Sequence, residues 1–136
     1  MVETRSTFDD PQTYAIVGAG MAVHRELGCG FLEHVYQEAF TIELRQRSIP
    51  FVREAAISVK YRGHVLPVLY KLDFMCYGVV AVELKALRAI GALEEAQLIN
   101  YLRAVPCTRG LILNFGATSF QHRRLVLALA PDPIRR

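Results

Sequence analysis

The sequence predicts an α/β fold with a mixed central sheet flanked by helices, and three observations support it. Periodic segments follow the order helix, helix, three strands, helix, two strands along the 136 residues. A helical segment separates the third strand from the fourth, which favours a parallel pair there. A hydrophobic content of 52% with 21% charged residues is typical of a globular core. We expect one domain over residues 12–130, with loose tails at residues 1–11 and 131–136.

The helices are predicted from apolar spacing and from the residues that end it. After Asp10-Pro11, small and apolar residues recur at helical spacing until Gly28, which predicts the first helix. The second helix is predicted from Phe31 to Arg47, and the third from Ala92 to Val105. The expected buried stripe of the second helix is Leu32, Val35, Tyr36 and Ala39.

Five segments read as strands because they are apolar and bounded by turn residues. The first three are Phe51 to Tyr61, His64 to Met75 and Val79 to Ala86. Gly110 to Phe115 is short and almost wholly apolar, as expected of a buried parallel strand. Arg124 to Leu129 is predicted to be the last strand and to lie at the sheet edge.

Two opposite charges end the third predicted strand. Alternation of side chains puts Glu83 and Lys85 on one face, and Asp73 ends the preceding strand ten residues upstream. Burying such charges costs several kcal/mol per ion unless each finds a partner, so charged residues in an apolar segment indicate a functional role. A solvated Glu-x-Lys pair on a strand surface is the alternative reading.

Asp73, Glu83 and Lys85 together fit the requirements of phosphodiester hydrolysis. Mg²⁺ takes oxygen ligands, so Asp73 and Glu83 are suited to hold it. Lys85 is suited to orient or deprotonate the attacking water and to neutralise the phosphate.

The turn between the second and third strands decides whether the set exists. A two-residue loop at Tyr77-Gly78 would send Glu83 to the opposite face from Asp73. A three-residue loop over residues 76–78, with Gly78 left-handed, would pair Asp73 with Ala81 and leave Glu83 as its diagonal neighbour. We predict this loop or an equivalent bulge.

Helical residues extend the set, and the motifs resemble a known family. Taken alone, Glu33 fits a solvated helix N-terminus, and Gln97 and Tyr101 are one turn apart on the third helix. The motifs are Gly30-Phe31-Leu32-Glu33-His34-Val35-Tyr36, Val82-Glu83-Leu84-Lys85, Glu95-Ala96-Gln97-Leu98-Ile99-Asn100-Tyr101-Leu102 and Leu111-Ile112-Leu113-Asn114-Phe115-Gly116. With these the chain resembles the GxxExxY protein family, part of the PD-(D/E)xK nuclease superfamily, over residues 16–129.

The resemblance implies a restriction-endonuclease-like αβββαβ core that binds Mg (or Mn). The catalytic residues that it implies are Asp73, Glu83, Lys85 and Gln97. The metal ligands that it implies are Glu33, Asp73 and Glu83. The substrate-binding residues that it implies are Tyr36 and Tyr101, the latter because Gln97 and Tyr101 are similar to the Gln-x-x-x-Tyr motif of RecB-type nucleases.

The predicted function is a metal-dependent nuclease that acts on DNA, with RNA second. A net charge of +3 permits a nucleic-acid partner. A noncatalytic nucleic-acid-binding or protein-interaction module that retains the fold is the alternative. No apolar run is long enough to span a membrane, and the cysteine pattern suggests no disulfide framework, so we expect a cytoplasmic protein. Symmetric cuts on a duplex would favour a homodimer.

Overall fold

The computed structural model describes residues 2–3, 10–105, 107 and 109–127. Nine elements follow one another in these residues: β1 Val2–Glu3, α1 Pro11–Leu27, α2 Glu33–Gln46, β2 Phe51–Tyr61, β3 His64–Cys76, β4 Val80–Lys85, α3 Ala92–Ala104, β5 Arg109–Asn114 and β6 Gln121–Leu127. The predicted order of three helices and five strands is therefore confirmed, with element ends that shift by no more than three residues, and β1 is an additional strand.

One mixed sheet of six strands runs in the order β1-β6-β5-β4-β3-β2. The β4–β5 pair is parallel, as predicted, and α3 makes the crossover between these strands. The other neighbouring pairs are antiparallel. The strand β4 therefore lies inside the sheet, and its side chains from Val80 to Leu84 are all buried.

The prediction of an edge position for the last strand is wrong. Strand β6 is covered by β1, whose Val2 pairs with Leu127. These two residues also depart from the predicted loose tail over residues 1–11, because backbone pairing holds them on the sheet. No apolar periodicity marks a strand of two residues, so its sequence carries no signal. The predicted tail at residues 131–136 lies outside the described residues.

Two buried clusters occupy the two faces of the sheet. The larger joins α1 and α2 to β4 and β5, with Ile16, Phe40, Val82 and Leu113 among its members. The smaller joins α3 to the other face and includes Ala81, Leu98, Leu102 and Ile112. Alternation along β4 therefore sends Val82 towards α1 and α2, and Ala81 towards α3.

The predicted buried stripe of α2 is partly wrong. Tyr36 is buried as predicted, but Leu32 is 81% exposed and Val35 is 37% exposed. The buried side is instead made of Tyr36, Phe40, Thr41 and Leu44. The spacing of four residues from Tyr36 to Phe40 to Leu44 fits the side that faces the sheet, whereas residues 32 and 35 lie beside it.

A buried ion pair fixes the start of α1. Asp10 caps the helix by accepting from the Thr13 amide at 3.2 Å, and it also accepts from Arg109 at 2.8 Å and Arg124 at 3.0 Å. Burial alone would raise the pKa of Asp10, but the hydrogen bonds from Thr13, Arg109 and Arg124 outweigh it and lower the pKa. This contact ties α1 to β5 and β6.

Among the described helices, none has both the length and the hydrophobicity that crossing a bilayer requires.

Candidate active site

The β3–β4 turn brings Asp73 and Glu83 to the same face. Cys76 pairs with Val80, and Phe74 pairs with Val82, so the loop comprises residues 77–79. Gly78 has a φ of 70°, the left-handed conformation predicted for it. The loop has three residues, as predicted, but starts one residue later. Continuation of this register puts Asp73 opposite Glu83, so the predicted diagonal placement is wrong while the shared face is correct.

The two carboxylates take over the hydrogen bonding where the strand ladder ends. The backbone amide of Asp73 donates to Glu83 Oε1 at 3.0 Å. The backbone amide of Leu84 donates to Asp73 Oδ2 at 2.8 Å. The paired register of β3 and β4 stops at Phe74 and Val82, one residue before this exchange. Each side chain is thus held by a backbone amide of the opposite strand, which fixes both carboxylates.

This arrangement places negative charge in a poorly solvated position. Glu83 is only 6% exposed, and Asp73 is half-buried. Burial and the neighbouring Asp73 carboxylate raise the pKa of Glu83 from 4.5 to about 8. Burial also raises the pKa of Asp73, although the Leu84 amide and Lys85 oppose that rise. At neutral pH the metal-free site therefore retains a proton.

Glu33 lies close enough to affect the pair electrostatically. It is the first residue of α2 and is half-buried. Burial and the charge of Asp73 raise the pKa of Glu33, while Lys85 opposes the rise. However, among the described residues no three His, Cys, Asp or Glu side chains converge into a metal-binding group. The structure therefore brings Asp73 and Glu83 together, but it does not assemble the predicted three-carboxylate set.

Lys85 follows the carboxylates on the same strand face and is positioned by α3. Its Nζ donates to Oε1 of Gln97 at 3.1 Å. Gln97 is exposed on the second turn of α3, so its amide oxygen reaches the site from the solvent side. The contact joins two of the predicted catalytic residues and orients the ammonium group beside the acidic pair.

The two tyrosines predicted to bind substrate have different environments. Tyr101 is half-buried on α3, one turn after Gln97, with its ring centroid 5.8 Å from that of Tyr70. Burial and the charges of Glu83 and Asp73 raise the pKa of Tyr101. Tyr101 therefore borders the acidic pair and retains exposed surface.

The environment of Tyr36 does not fit the predicted role in substrate binding. Its side chain is fully buried, and its ring stacks on Phe115 with centroids 4.8 Å apart. The Tyr36 hydroxyl donates to the Gly28 carbonyl at 2.7 Å and accepts from the Phe31 amide at 3.2 Å. Tyr36 therefore holds the α1–α2 connection closed, which places the start of α2, with Glu33, beside the site.

Gln37 is a site residue that the sequence argument missed. Its Nε2 donates to Oδ1 of Asp73 at 3.3 Å. Gln37 is four residues after Glu33, so both lie on the same side of α2. The four-residue spacing is the sequence signal for Gln37, because it puts Gln37 on the side of α2 that carries Glu33, a predicted metal ligand.

Asn114 is a second missed residue, and it positions the segment that follows Lys85. It is fully buried at the end of β5. Its Oδ1 accepts from the Leu87 amide at 2.8 Å, and its Nδ2 donates to the Leu87 carbonyl at 2.9 Å. A lone amide in an apolar strand must find such partners, and this requirement was visible in the sequence.

A family model described as the PD-(D/E)XK nuclease superfamily matches residues 10–125. The chain belongs to this superfamily. Comparison with curated proteins gave no match, and neither did comparison with solved structures. The mixed sheet flanked by three helices agrees with the restriction-endonuclease-like fold of the superfamily. The match covers every residue of the acidic pair, Lys85, and both helices that border them.

The residues present suit the divalent metal that PD-(D/E)XK nucleases generally use. Mg²⁺ is commonly held by one or two carboxylates with water and substrate phosphate completing its shell. Asp73 and Glu83 supply two carboxylates whose pKa values are raised by burial and, for Glu83, also by the charge of Asp73. A cation between them would favour their charged forms, so the donor set fits a hard divalent ion.

Proposed function

We propose that this chain is a metal-dependent nuclease that hydrolyses phosphodiester bonds, in DNA rather than RNA. The observation that carries the proposal is the pair of carboxylates fixed across β3 and β4, with Asp73 accepting from Leu84 and Glu83 accepting from Asp73. Carboxylates that serve only as partners of basic side chains have lowered pKa values. The pKa values of Asp73 and Glu83 are raised instead. Membership of the superfamily makes phosphodiester hydrolysis the matching chemistry.

Each residue has a distinct role in this proposal. Asp73 and Glu83 would hold Mg²⁺ or Mn²⁺, and Glu33 would add negative charge beside them from the start of α2. A bound divalent ion lowers the pKa of its water and stabilises negative charge on phosphate. Lys85, oriented by Gln97, positions the attacking water and offsets the charge that develops on the phosphate.

The finer assignments rest on the motifs. The Gly-x-x-Glu-x-x-Tyr spacing from Gly30 to Tyr36 supports membership of the GxxExxY family. Two observations support this assignment: burial and the charge of Asp73 raise the pKa of Glu33, and the Tyr36 hydroxyl donates to the Gly28 carbonyl. The preference for DNA rests on the similarity of Gln97 and Tyr101 to the RecB-type motif.

A noncatalytic nucleic-acid-binding module is the second candidate. The observation that favours it is the failure of Glu33 to join Asp73 and Glu83 in a three-ligand group within the described residues. Such a module predicts affinity for nucleic acid that falls with salt, does not require metal and is not accompanied by cleavage.

The test is cleavage of a mixed panel with Mg²⁺, Mn²⁺ or EDTA. The panel contains single-stranded DNA, duplex DNA, branched DNA and RNA, and products are resolved on denaturing gels. Wild-type protein is compared with Glu83→Gln and with Glu26→Gln, a control at an exposed carboxylate on α1. We expect metal-dependent cleavage by wild type and Glu26→Gln, with a loss of at least about 100-fold in Glu83→Gln. Binding without cleavage of any substrate would favour the module.

We also propose a cytoplasmic location and, for a duplex substrate, a homodimer. The three cysteines Cys29, Cys76 and Cys107 are all free, as is usual in a reducing compartment. A dimer would place two acidic pairs on the two strands of a duplex.

A further inference from the structure

A groove of about 750 Å³ runs between α3 and the β2–β3 hairpin. Gln97 and Tyr101 of the candidate active site are among its lining residues, and the Tyr70 ring of β3 lies beside that of Tyr101. Gln97 also accepts from Lys85, so the groove adjoins the candidate active site. Its volume lies within the range of about 300 to 1,000 Å³ that is usual for ligand sites.

The lining of the groove combines aromatic, apolar and positively charged side chains. Lys60 of β2 and Arg103 of α3 both line it and are exposed. None of the described residues that line it is an aspartate or glutamate. Tyr70 is 47% exposed, so part of an aromatic side chain is accessible in the groove. Cations with an exposed aromatic ring are the combination by which proteins bind unpaired nucleic acid.

We propose that this groove binds a single strand of nucleic acid and delivers it to the acidic pair. A base stacks on the Tyr70 and Tyr101 rings, and Lys60 and Arg103 contact backbone phosphates further along the groove. The inference rests on the proposed nuclease function and narrows its substrate class to unpaired strands.

A duplex does not suit the groove. Bases in a duplex are already stacked on their neighbours, so contact with Tyr70 would require one to be extruded at an energetic cost. An unpaired base has a free face and can stack at once. Negative charge on the strand also complements Lys60 and Arg103, in a groove without acidic side chains among its described lining.

The test measures binding by fluorescence anisotropy in the Glu83→Gln background, so that the probe is not cut. The probes are a fluorescein-labelled single-stranded deoxynucleotide and a hairpin duplex that contains the same sequence. Two variants change the groove: Tyr70→Ala, and the double charge reversal Lys60→Glu with Arg103→Glu. The matched control reverses Arg25 and Arg45, two exposed arginines on the helices of the other sheet face.

We expect the single strand to bind at least about tenfold more tightly than the duplex, and Tyr70→Ala to weaken it by about tenfold. The groove reversal should lower the slope of log affinity against log salt by about 1.4, at about 0.7 per lost phosphate contact. The control reversal of Arg25 and Arg45 should leave the slope of log affinity against log salt mostly unchanged. Equal binding of the duplex, or equal effects of the two reversals, would overturn the inference.

Failure of the groove and failure of the nuclease can be told apart. If wild type cleaves the panel and the groove variants cleave it equally well, the groove inference fails while the nuclease proposal stands. If no substrate is cut but the strand binds and depends on Tyr70, the groove stands as a binding site and the nuclease fails.

Discussion

At the scale of single residues, Glu83 shows how strongly one environment can change a side chain. The sequence predicted a carboxylate near the end of a buried strand, and the structure places it beside Asp73 with 6% exposure. The rise in the pKa of Glu83 to about 8 follows from that burial and that neighbour. The size of the rise depended on tertiary packing and could not be read from spacing.

The raised pKa predicts an unusual dependence of stability on pH. The metal-free folded state keeps a proton on Glu83 between pH 4.5 and about 8, whereas the unfolded state loses it near 4.5. The folded state thus binds more protons in this window, so the free energy of unfolding falls as pH rises, by up to about 1.4 kcal/mol per unit. Urea unfolding across the window should show this fall, and Glu83→Gln should flatten it. A wild-type free energy that rises from pH 5 to 8 would contradict the prediction.

Asp10 gives the opposite trend in a separate window. Its pKa is lowered below the ordinary value of 3.8, so the stability from its contacts with Thr13, Arg109 and Arg124 is present above that value and is lost in stronger acid. Asp10→Asn should therefore remove a loss of stability below pH 4 while leaving the fall between pH 4.5 and 8. Unfolding curves at pH 3 and pH 6 would check this.

Lys85 allows metal binding to be separated from cleavage. An ammonium group cannot ligate a metal, so Lys85→Met should lower cleavage by at least about 100-fold while Mn²⁺ affinity changes by less than about tenfold. Glu83→Gln should lower both. Cleavage rates and Mn²⁺ affinities are measured on the same preparations. A parallel loss of metal affinity in Lys85→Met would indicate that Lys85 supports the fold and not the chemical step.

Tyr36 shows where a motif predicts position better than role. The motif placed this residue near Glu33 correctly, but its contact with the Gly28 carbonyl is structural. Tyr36→Phe should lower the free energy of unfolding by about 1 to 2 kcal/mol, because the carbonyl and the Phe31 amide lose a partner. Catalytic turnover of the folded fraction should remain within a few-fold of wild type. A loss of cleavage without a loss of stability would restore the substrate-binding role.

At the scale of elements, the β3–β4 hairpin was predictable because alternation has only two outcomes. Parity alone required an odd loop if Asp73 and Glu83 were to share a face, and the loop over residues 77–79 meets that requirement. A change of face in β3 was not predictable. Leu72 and Phe74 belong to different clusters, although simple alternation would group them. Opposite this step, Glu54 has a φ of 54°, a distortion without a sequence signal.

The end of β5 supports the segment after Lys85 by close backbone contact. A Cβ at Gly116 would collide with the backbone of Ala86 and Leu87. Gly116→Ala should therefore displace this segment, lower the free energy of unfolding by about 1 to 3 kcal/mol and reduce cleavage. Gly18→Ala is the matched control, because its Cβ would meet only Arg47 at 3.4 Å. Equal stability of the two variants would contradict the packing argument.

At the scale of the whole molecule, the order of elements followed from periodicity, while the assembly of the sheet did not. The parallel β4–β5 pair was predictable from the helix between the strands. Pairing of β1 with β6 joins the two ends of the described chain and depends on contacts that no local pattern records. The fold brings β3, β4, α2 and α3 to one place, where Gln37, Asp73, Lys85 and Gln97 make contacts that close the site.

The central claim is that Asp73 and Glu83 form the cation site on which cleavage depends. Calorimetric titration with Mn²⁺ at pH 7, in two buffers that differ in ionisation enthalpy, tests it most directly. We expect wild type and Glu26→Gln to bind the ion and to release about one proton, because Glu83 must give up its proton to become a ligand. We expect Glu83→Gln to lose both the affinity and the proton release. Equal Mn²⁺ affinity in wild type and Glu83→Gln, or no proton released by wild type, would contradict the account.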